Sequence, residues 1–306
     1  MSGVLIGFGI IGAIVAAGYA VGRADLLGPG AGRVLSRLAF FVLSPCLLFT
    51  VLARADVHAL FSSLLLTSAV AAFVTALLFA GVALLVWRRS LPEVVVGSLA
   101  SGYVNANNIG LPVAVYVLGD PAYSAPVILL QLVVLAPIAL TLLDISTSGH
   151  VSLGRILQQP VRNPLIIGSL LGLVVAVTGI QLPDPVLQPF ELIGAAAVPV
   201  VLLGFGMSLH GQRPFQPGTG RRDIALATGL KLVVMPAVAA LVGALLGLEG
   251  AHLYAVVVLA ALPSAQNVFN YAQRYDRGVV VARDTVLLTT VGSIPVLLLV
   301  SLLLRR

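Results

Sequence analysis

Charged residues are scarce in this sequence. Only 9% of its 306 residues are charged, whereas soluble domains carry about 25%. So few charges cannot cover the surface of a soluble protein of this length, which excludes a cytosolic enzyme and a disordered regulator. The net charge of +6 comes from 17 lysine and arginine residues scattered between apolar stretches. They form no basic stripe, so we also predict no nucleic-acid partner.

Cysteine is almost absent, and catalytic motifs are missing. The single Cys46 excludes an intramolecular disulfide and a multi-cysteine metal site. The sequence contains neither H-E-x-x-H nor G-x-S-x-G, and its four histidines lie in loops or at the ends of apolar stretches. We therefore predict no enzyme activity, no resident metal and no cofactor, although Ser, Asn and carbonyl oxygens can hold a sodium ion.

Apolar residues are abundant instead. They make up 59% of the chain and form runs of the roughly 20 residues that a membrane-spanning helix needs. The runs lack the alternation of transmembrane strands, and Met1-Ser2-Gly3 has no basic residue, so we expect no cleaved signal peptide. We predict an all-α membrane protein with ten transmembrane helices, spans 1 to 10, at 3–22, 35–53, 63–87, 94–117, 123–144, 163–180, 190–209, 224–248, 251–272 and 280–304.

The basic residues predict the orientation of these spans. Thirteen lie in the loops after spans 1, 3, 5, 7 and 9, whereas only Arg54, Arg305 and Arg306 lie on the other side. Because basic loops stay in the cytoplasm, we expect a multi-pass inner-membrane protein with both termini on the non-cytoplasmic side. The thirteen are Arg23, Arg33, Arg37, Arg88, Arg89, Arg155, Arg162, Arg213, Arg221, Arg222, Arg274, Arg277 and Arg283.

Prolines recur at about half the chain length, which indicates an internal repeat. We predict a first five-helix repeat at 1–150 and a second at 160–306. Five spans is an odd number, so the second repeat enters the membrane inverted, as in many secondary transporters. The pairs are Pro45 with Pro199 in spans 2 and 7, Pro112 with Pro263 in spans 4 and 9, and Pro137 with Pro295 in spans 5 and 10.

Spans 4 and 9 carry the polar residues that suggest a binding site. Amide side chains without partners are costly in the middle of a membrane. Glycine and proline weaken the helix at the same positions. We therefore predict that both spans are broken helices that cross, with half-helix N-termini aimed at an anion. The candidate substrate-binding amides are Asn105, Asn108, Gln266, Asn267 and Asn270, together with Gln131 in span 5, and the candidate crossover residues are Gly110, Pro112, Pro263 and Ser264.

Other interpretations remain open for the amides and for Lys231. The amides can hold helices together through interhelical hydrogen bonds. Lys231 is the one basic residue deep in a span; it can extend to the headgroups, attract an anionic substrate, or brace the crossing region. The carboxylates lie at or near span ends, which argues against a proton relay of intramembrane acids.

In order along the chain, several motifs resemble the auxin efflux carrier family. They are Asn105-Ala106-Asn107-Asn108-Ile109-Gly110-Leu111-Pro112, Val117-Leu118-Gly119-Asp120, Gln131, Asn163-Pro164-Leu165-Ile166, Ala197-Val198-Pro199, Lys231-Leu232-Val233-Val234-Met235-Pro236 and Leu262-Pro263-Ser264-Ala265-Gln266-Asn267. The resemblance implies two inverted five-helix repeats, with spans 1, 2, 6 and 7 as a scaffold that forms a homodimer. Spans 3–5 and 8–10 would form the transport domain, with spans 4 and 9 crossing at Pro112 and Pro263.

The resemblance also implies carboxylate contacts at Asn108 and Asn267, with Gln131 nearby. Family members are associated with malate, malonate or indole acetate. We therefore predict a secondary transporter that moves a small organic anion by an elevator-type shift. The alternatives are a sodium-coupled organic-anion symporter and a membrane receptor that binds a carboxylate without transporting it.

Overall fold

The chain is helical throughout the part that the structure, a computed structural model, describes. Residues 2–28, 30–55, 63–148, 163–210 and 220–304 are described, and no β-strand occurs among them. Arg155, Arg162, Arg213, Arg305 and Arg306, which contribute to the predicted orientation, lie outside these ranges.

Every predicted span coincides with one helix or with a pair of shorter helices. Spans 4 and 9 are the two that correspond to pairs. The helices are α1 (Ser2–Arg23), α2 (Ala31–Ala53), α3 (Leu65–Val86), α4 (Leu91–Gly102), α5 (Ala106–Leu118), α6 (Pro121–Thr147), α7 (Pro164–Thr178), α8 (Asp184–Leu209), α9 (Arg221–Leu245), α10 (Gly250–Ala260), α11 (Gln266–Tyr275) and α12 (Val279–Leu304).

Six of these helices, α2, α3, α6, α8, α9 and α12, are long and apolar enough to cross a membrane. Helices α4, α5, α7 and α10 are apolar but shorter. The protein is therefore a multi-pass membrane protein, while the full set of ten crossings and its inverted symmetry stay predictions.

Most of the helices with internal prolines remain continuous because they widen locally. A proline ring clashes with the carbonyl group four residues earlier and offers no N–H. Five-residue π-helical turns displace that carbonyl just before Pro45, Pro112, Pro137 and Pro236; they are Ala39–Leu43, Ala106–Gly110, Gln131–Leu135 and Leu230–Val234.

The helices form two compact units, and each draws on both halves of the chain. Unit 1 comprises the described residues of Met1–Phe61, Asn107–Leu129 and Pro160–Gln212. Glycines allow close approach of its backbones: a Cβ on Gly168 would lie 2.5 Å from the Pro45 carbonyl oxygen, and one on Gly194 would lie 2.9 Å from the Leu47 Cα atom. Helix α2 thus packs directly on α7 and α8.

Unit 2 comprises the described residues of Ser62–Ala106, Leu130–Gln159 and Arg213–Arg306. Its apolar core includes Phe79, Val96, Tyr103 and Val268, all nearly inaccessible to solvent. The helical geometry of spans 4 and 9 is interrupted after α4 and after α10, and both interruptions lie in this unit. The repeat boundaries and the scaffold and transport domains predicted from the sequence stay predictions.

Candidate functional site

The chain leaves helical geometry at the polar stretches of spans 4 and 9. Helix α4 ends at Gly102, and Tyr103 is extended, with φ −96° and ψ 107°. Helix α10 ends at Ala260, and Ala265 is extended, with φ −75° and ψ 144°. We call the two short segments Tyr103–Asn105 and Pro263–Ala265 the crossing.

The two segments of the crossing pair in antiparallel fashion. Each break frees backbone groups that would be costly to bury without partners, and here the segments satisfy each other. Val104 bridges Ser264, the Asn105 N–H donates to the Pro263 carbonyl over 2.8 Å, and the Ala265 N–H donates to the Tyr103 carbonyl over 3.0 Å.

Ser264 fixes the crossing to two further helices. Its backbone N–H donates to the hydroxyl of Thr289 on α12 over 3.0 Å, and its own hydroxyl donates to the Ala100 carbonyl on α4. Ser264 and Thr289 are fully buried. Sequence reasoning missed Thr289, because a single hydroxyl in an apolar span carries no pattern that reveals its partner.

The N-terminus of α11 presents free hydrogen-bond donors next to the crossing. The helix begins at Gln266, and the preceding Ala265 provides no side-chain cap. Gln266 and Asn267 are half-buried and add amide N–H groups to the first turn of this helix. Uncapped N–H groups at the positive end of the helix dipole are suited to an anion.

Lys231 lies at the opposite helix end. The side chain is fully buried, and its Nζ atom donates to the carbonyl of Ala260, the last residue of α10, over 2.6 Å. The Met235 Sδ atom is its second partner, at 3.2 Å. Among the three interpretations of Lys231, extension to the headgroups does not describe this geometry, whereas a brace at the crossing region does.

The remaining candidate residues are distributed over both units. Asn105 and Gln131 are buried, each 5% exposed, and Asn270 is exposed on α11; these three belong to unit 2. Asn108 belongs to unit 1, where its Oδ1 atom accepts a hydrogen bond from the Nδ2 atom of Asn107 over 2.9 Å.

Gly110 and Pro112 do not lie where the chain is extended. The sequence placed the span 4 crossover at these residues, whereas the extended segment is Tyr103–Asn105. Pro112 lies in the first turn of a helical stretch that starts at Leu111. A proline is tolerated there because its missing N–H needs no partner, and the π-helical turn before it relieves the steric clash.

Tyr103 provides a hydroxyl group beside the crossing. The side chain is 1% exposed, and its hydroxyl makes no hydrogen bond of ordinary geometry within the described residues. The side chains of Asn267 and Tyr271 are its polar neighbours, close enough to interact with the hydroxyl by hydrogen bonding. A buried hydroxyl held only loosely by two polar side chains is a further candidate for ligand contact.

An ion pair and a hydrogen bond join helix ends of unit 2 at the side predicted to be cytoplasmic. Arg89 makes a bidentate contact with Asp223, with its Nε and Nη2 atoms 3.1 and 2.6 Å from the two carboxylate oxygens. This hydrogen-bonded pairing raises the pKa of Arg89. Tyr275 donates to Asp144 over 2.6 Å in the same unit. No cluster of acidic, histidine or cysteine residues suited to a metal ion occurs in the described ranges.

Comparison with known proteins supports a transport role. The chain is 28% identical over 291 residues to a "Putative malonate transporter" of Rhizobium meliloti, covering 90% of this chain and 88% of that protein. It is 25% identical over 278 residues to the "Uncharacterized transporter YfdV" of Escherichia coli, covering 86% and 85%. An "Uncharacterized transporter" of Methanothermobacter thermautotrophicus is 27% identical over 286 residues, covering 92% of both chains.

A family model described as "Membrane transport protein" matches residues 9–301, which is nearly the whole chain. Its relatives are named as transporters and not as enzymes. The chain therefore belongs to the membrane transport protein family, the auxin efflux carrier family that its motifs resemble.

Proposed function

We propose that this protein is a secondary transporter that binds the carboxylate of a small organic anion at the crossing. The observation that carries the proposal is the uncapped N-terminus of α11 beside the amides of Gln266 and Asn267. A carboxylate is an acceptor only, so it fits a site whose available groups are N–H donors. Asn105 and Gln131, buried in the same unit, are further amides for it.

Malonate is the substrate that we propose to test first. A relative of 28% identity carries malonate in its name, and the family resemblance adds malate and indole acetate. The amine of Lys231, close to the end of α10, can only be neutral or positive, so it favours an anion over a cation at the crossing. A small dicarboxylate also offers a second anionic group for the remaining amides.

An elevator-type movement is the mechanism that we propose, in which spans 3–5 and 8–10 move as the transport domain and spans 1, 2, 6 and 7 form the scaffold of a homodimer. Support comes from the hydrogen bonds at the crossing: those of Tyr103, Ser264 and Lys231 described above all join residues of unit 2. The crossing can therefore be carried as one body. The ten crossings, the inverted repeats, the inner-membrane location and the outward termini belong to this proposal.

Transport by purified protein in liposomes tests the function. We expect labelled malonate to accumulate in these liposomes and not in protein-free ones. Asn267→Ala should weaken malonate binding about 10-fold or more, because a half-buried donor to the carboxylate is lost. Gln273→Ala removes an exposed amide from the far end of the same helix and is the matched control. Normal malonate affinity of Asn267→Ala would place the site elsewhere.

The same assay separates the alternatives. Uptake that requires a sodium gradient would identify a sodium-coupled symporter, and binding without flux would identify a receptor. Asn108→Ala, made in parallel, tests the contact that the sequence assigns to this residue. Malate, indole acetate and acetate as competitors define the substrate class, and the failure of every carboxylate to bind would refute the proposal.

A further inference from the structure

Lys231 is a fully buried basic side chain in the membrane-spanning helix α9. The proposed function requires a site for an anion and gives no role to a proton on this amine. The charge state of the amine depends on the groups around it, both before the anion arrives and after it has bound.

The surroundings of Lys231 supply no opposite charge at contact distance. Helix α9 packs against α3, α4, α10 and α12, and the described residues contain no ion pair to Lys231 within 4.0 Å. Helix α3 has no titratable residue at all. The charged and titratable groups on the others and on α9 itself are Glu93, His252, Tyr254, Arg283, Asp284, Arg221, Arg222 and Asp223.

The acids among these groups are engaged elsewhere. Glu93 accepts from Ser90 in a capping box, Asp223 binds Arg89, and Asp284 binds its neighbour Arg283. Each of the three lies in the first or second turn of its helix. The ammonium form of Lys231 therefore has no neutralising carboxylate in the described part of the chain, and burying such a charge is unfavourable.

The hydrogen bonds of Lys231 match a neutral amine. A neutral amine has two N–H donors, and two acceptors are present: the Ala260 carbonyl at 2.6 Å and the Met235 Sδ atom at 3.2 Å. An ammonium group has three donors, and the third finds no partner among the described residues. An anion at the crossing changes this balance, because an opposite charge nearby in a medium of low dielectric constant stabilises the ammonium form.

We propose that Lys231 is the proton-binding site of a proton-coupled anion transporter. This inference rests on the proposed function. In the empty protein the amine is neutral. When a carboxylate binds at the crossing, one proton moves from water to the Nζ lone pair, and no covalent bond between heavy atoms changes. Proton and anion then cross together and leave together on the other side.

Ala260 connects the proton-binding site at Lys231 to the anion site at the crossing. It is the final residue of α10, and the chain continues directly from it into the crossing at Pro263. The carbonyl end of α10 carries the negative pole of the helix dipole, which opposes an anion at the crossing. A proton on Lys231 neutralises this pole at the moment when the anion arrives.

Proton uptake on binding is the direct test. Purified full-length protein is titrated with malonate at pH 7.5 by calorimetry in buffers of different ionisation enthalpy. We expect wild type to take up about one proton per malonate and its affinity to fall about tenfold per pH unit above the pH at which the empty amine loses its proton. Lys231→Arg, which stays charged, should bind malonate without proton uptake and with little dependence on pH.

Control variants exclude other titrating groups. His252→Gln removes the imidazole of α10, and Arg222→Gln removes an exposed charge from the first turn of α9. Both should keep the wild-type proton uptake. If Lys231→Arg fails to fold, the proton count of wild type and the Lys231→Met variant still test the inference. Lys231→Met should lose proton uptake together with most of its affinity for malonate.

The outcomes separate this inference from the proposed function. Malonate binding with no proton uptake by wild type, or proton uptake that persists in Lys231→Arg, would overturn the inference and leave anion transport intact. An inward pH gradient in liposomes should drive malonate accumulation by wild type but not by Lys231→Arg. The failure of malonate, malate and indole acetate to bind at any pH would overturn both.

Discussion

Units 1 and 2 are stabilised in different ways. In unit 1, α2 meets α7 and α8 through glycines that bring backbones into contact, and its ion pair, Arg54 with Glu191, is exposed to a large extent. In unit 2, helices are interrupted at the crossing, and buried polar groups such as Lys231, Ser264 and Thr289 bind across helices. The contacts of α2 in unit 1 thus depend on small residues, and the crossing in unit 2 depends on hydrogen bonds between helices.

The difference indicates where function resides. Polar groups within a membrane are costly and persist where they serve a binding or coupling role, whereas close glycine packing serves association of helices. If the comparison holds, unit 1 should respond most to changes in side-chain size, and unit 2 to changes in polarity.

Gly168→Leu should be the most damaging substitution. Its Cβ would lie 2.5 Å from the Pro45 carbonyl oxygen, so α2 and α7 must separate. We expect a loss of about 3 kcal/mol in the free energy of unfolding, measured by thermal unfolding in detergent with the fluorescence of the single tryptophan, Trp87. Gly12→Leu is the control, because its Cβ would have no neighbour within 4 Å. Equal losses in both variants would contradict the size dependence of unit 1.

Asp223→Ala should come next, because it leaves Arg89 without its bidentate partner. Asp223 is 7% exposed and Arg89 is 36% exposed in their side chains, so part of the charge remains solvated. We expect a loss of about 2 kcal/mol in the same unfolding assay, smaller at high salt. Glu191→Gln breaks the exposed pair of unit 1 and should cost about 0.5 kcal/mol. A larger loss for Glu191→Gln would reverse the comparison.

Thr289→Val tests the hydroxyl that holds the crossing. It leaves the buried N–H of Ser264 without its acceptor and should cost about 1.5 kcal/mol, with faster hydrogen exchange at the Ser264 amide. Thr50→Val in unit 1 is matched in size and burial, but the Thr50 hydroxyl only bonds carbonyls of its own helix. We expect that control to lose less than about 0.5 kcal/mol, and the prediction fails if the two losses are equal.

The sequence predicted the positions of the helices well, because long apolar runs must become helices in a membrane. It also located both interruptions to within a turn or two of the crossing. It misplaced the centre of the first one at Pro112, because a π-helical turn before a proline is not visible in composition. The partner of Lys231 and that of Thr289 depend on which helix ends meet in space, and one sequence does not reveal such contacts.

Tyr103→Phe should have the smallest effect on stability. The Tyr103 hydroxyl is buried without a hydrogen bond of ordinary geometry, so its removal should change the free energy of unfolding by less than about 0.5 kcal/mol. Tyr275→Phe is the matched control, because the Tyr275 hydroxyl donates to Asp144 over 2.6 Å and its loss should cost about 1.5 kcal/mol.

The same Tyr103→Phe variant should weaken malonate binding about threefold or more. The Tyr103 O–H lies beside the side chain of Asn267 and can donate to a carboxylate bound there, and phenylalanine keeps the shape of the ring while removing that donor. If Tyr103→Phe instead loses as much stability as Tyr275→Phe and binds malonate normally, the hydroxyl serves the packing of unit 2. The link between buried polarity and ligand binding would then not hold at this residue.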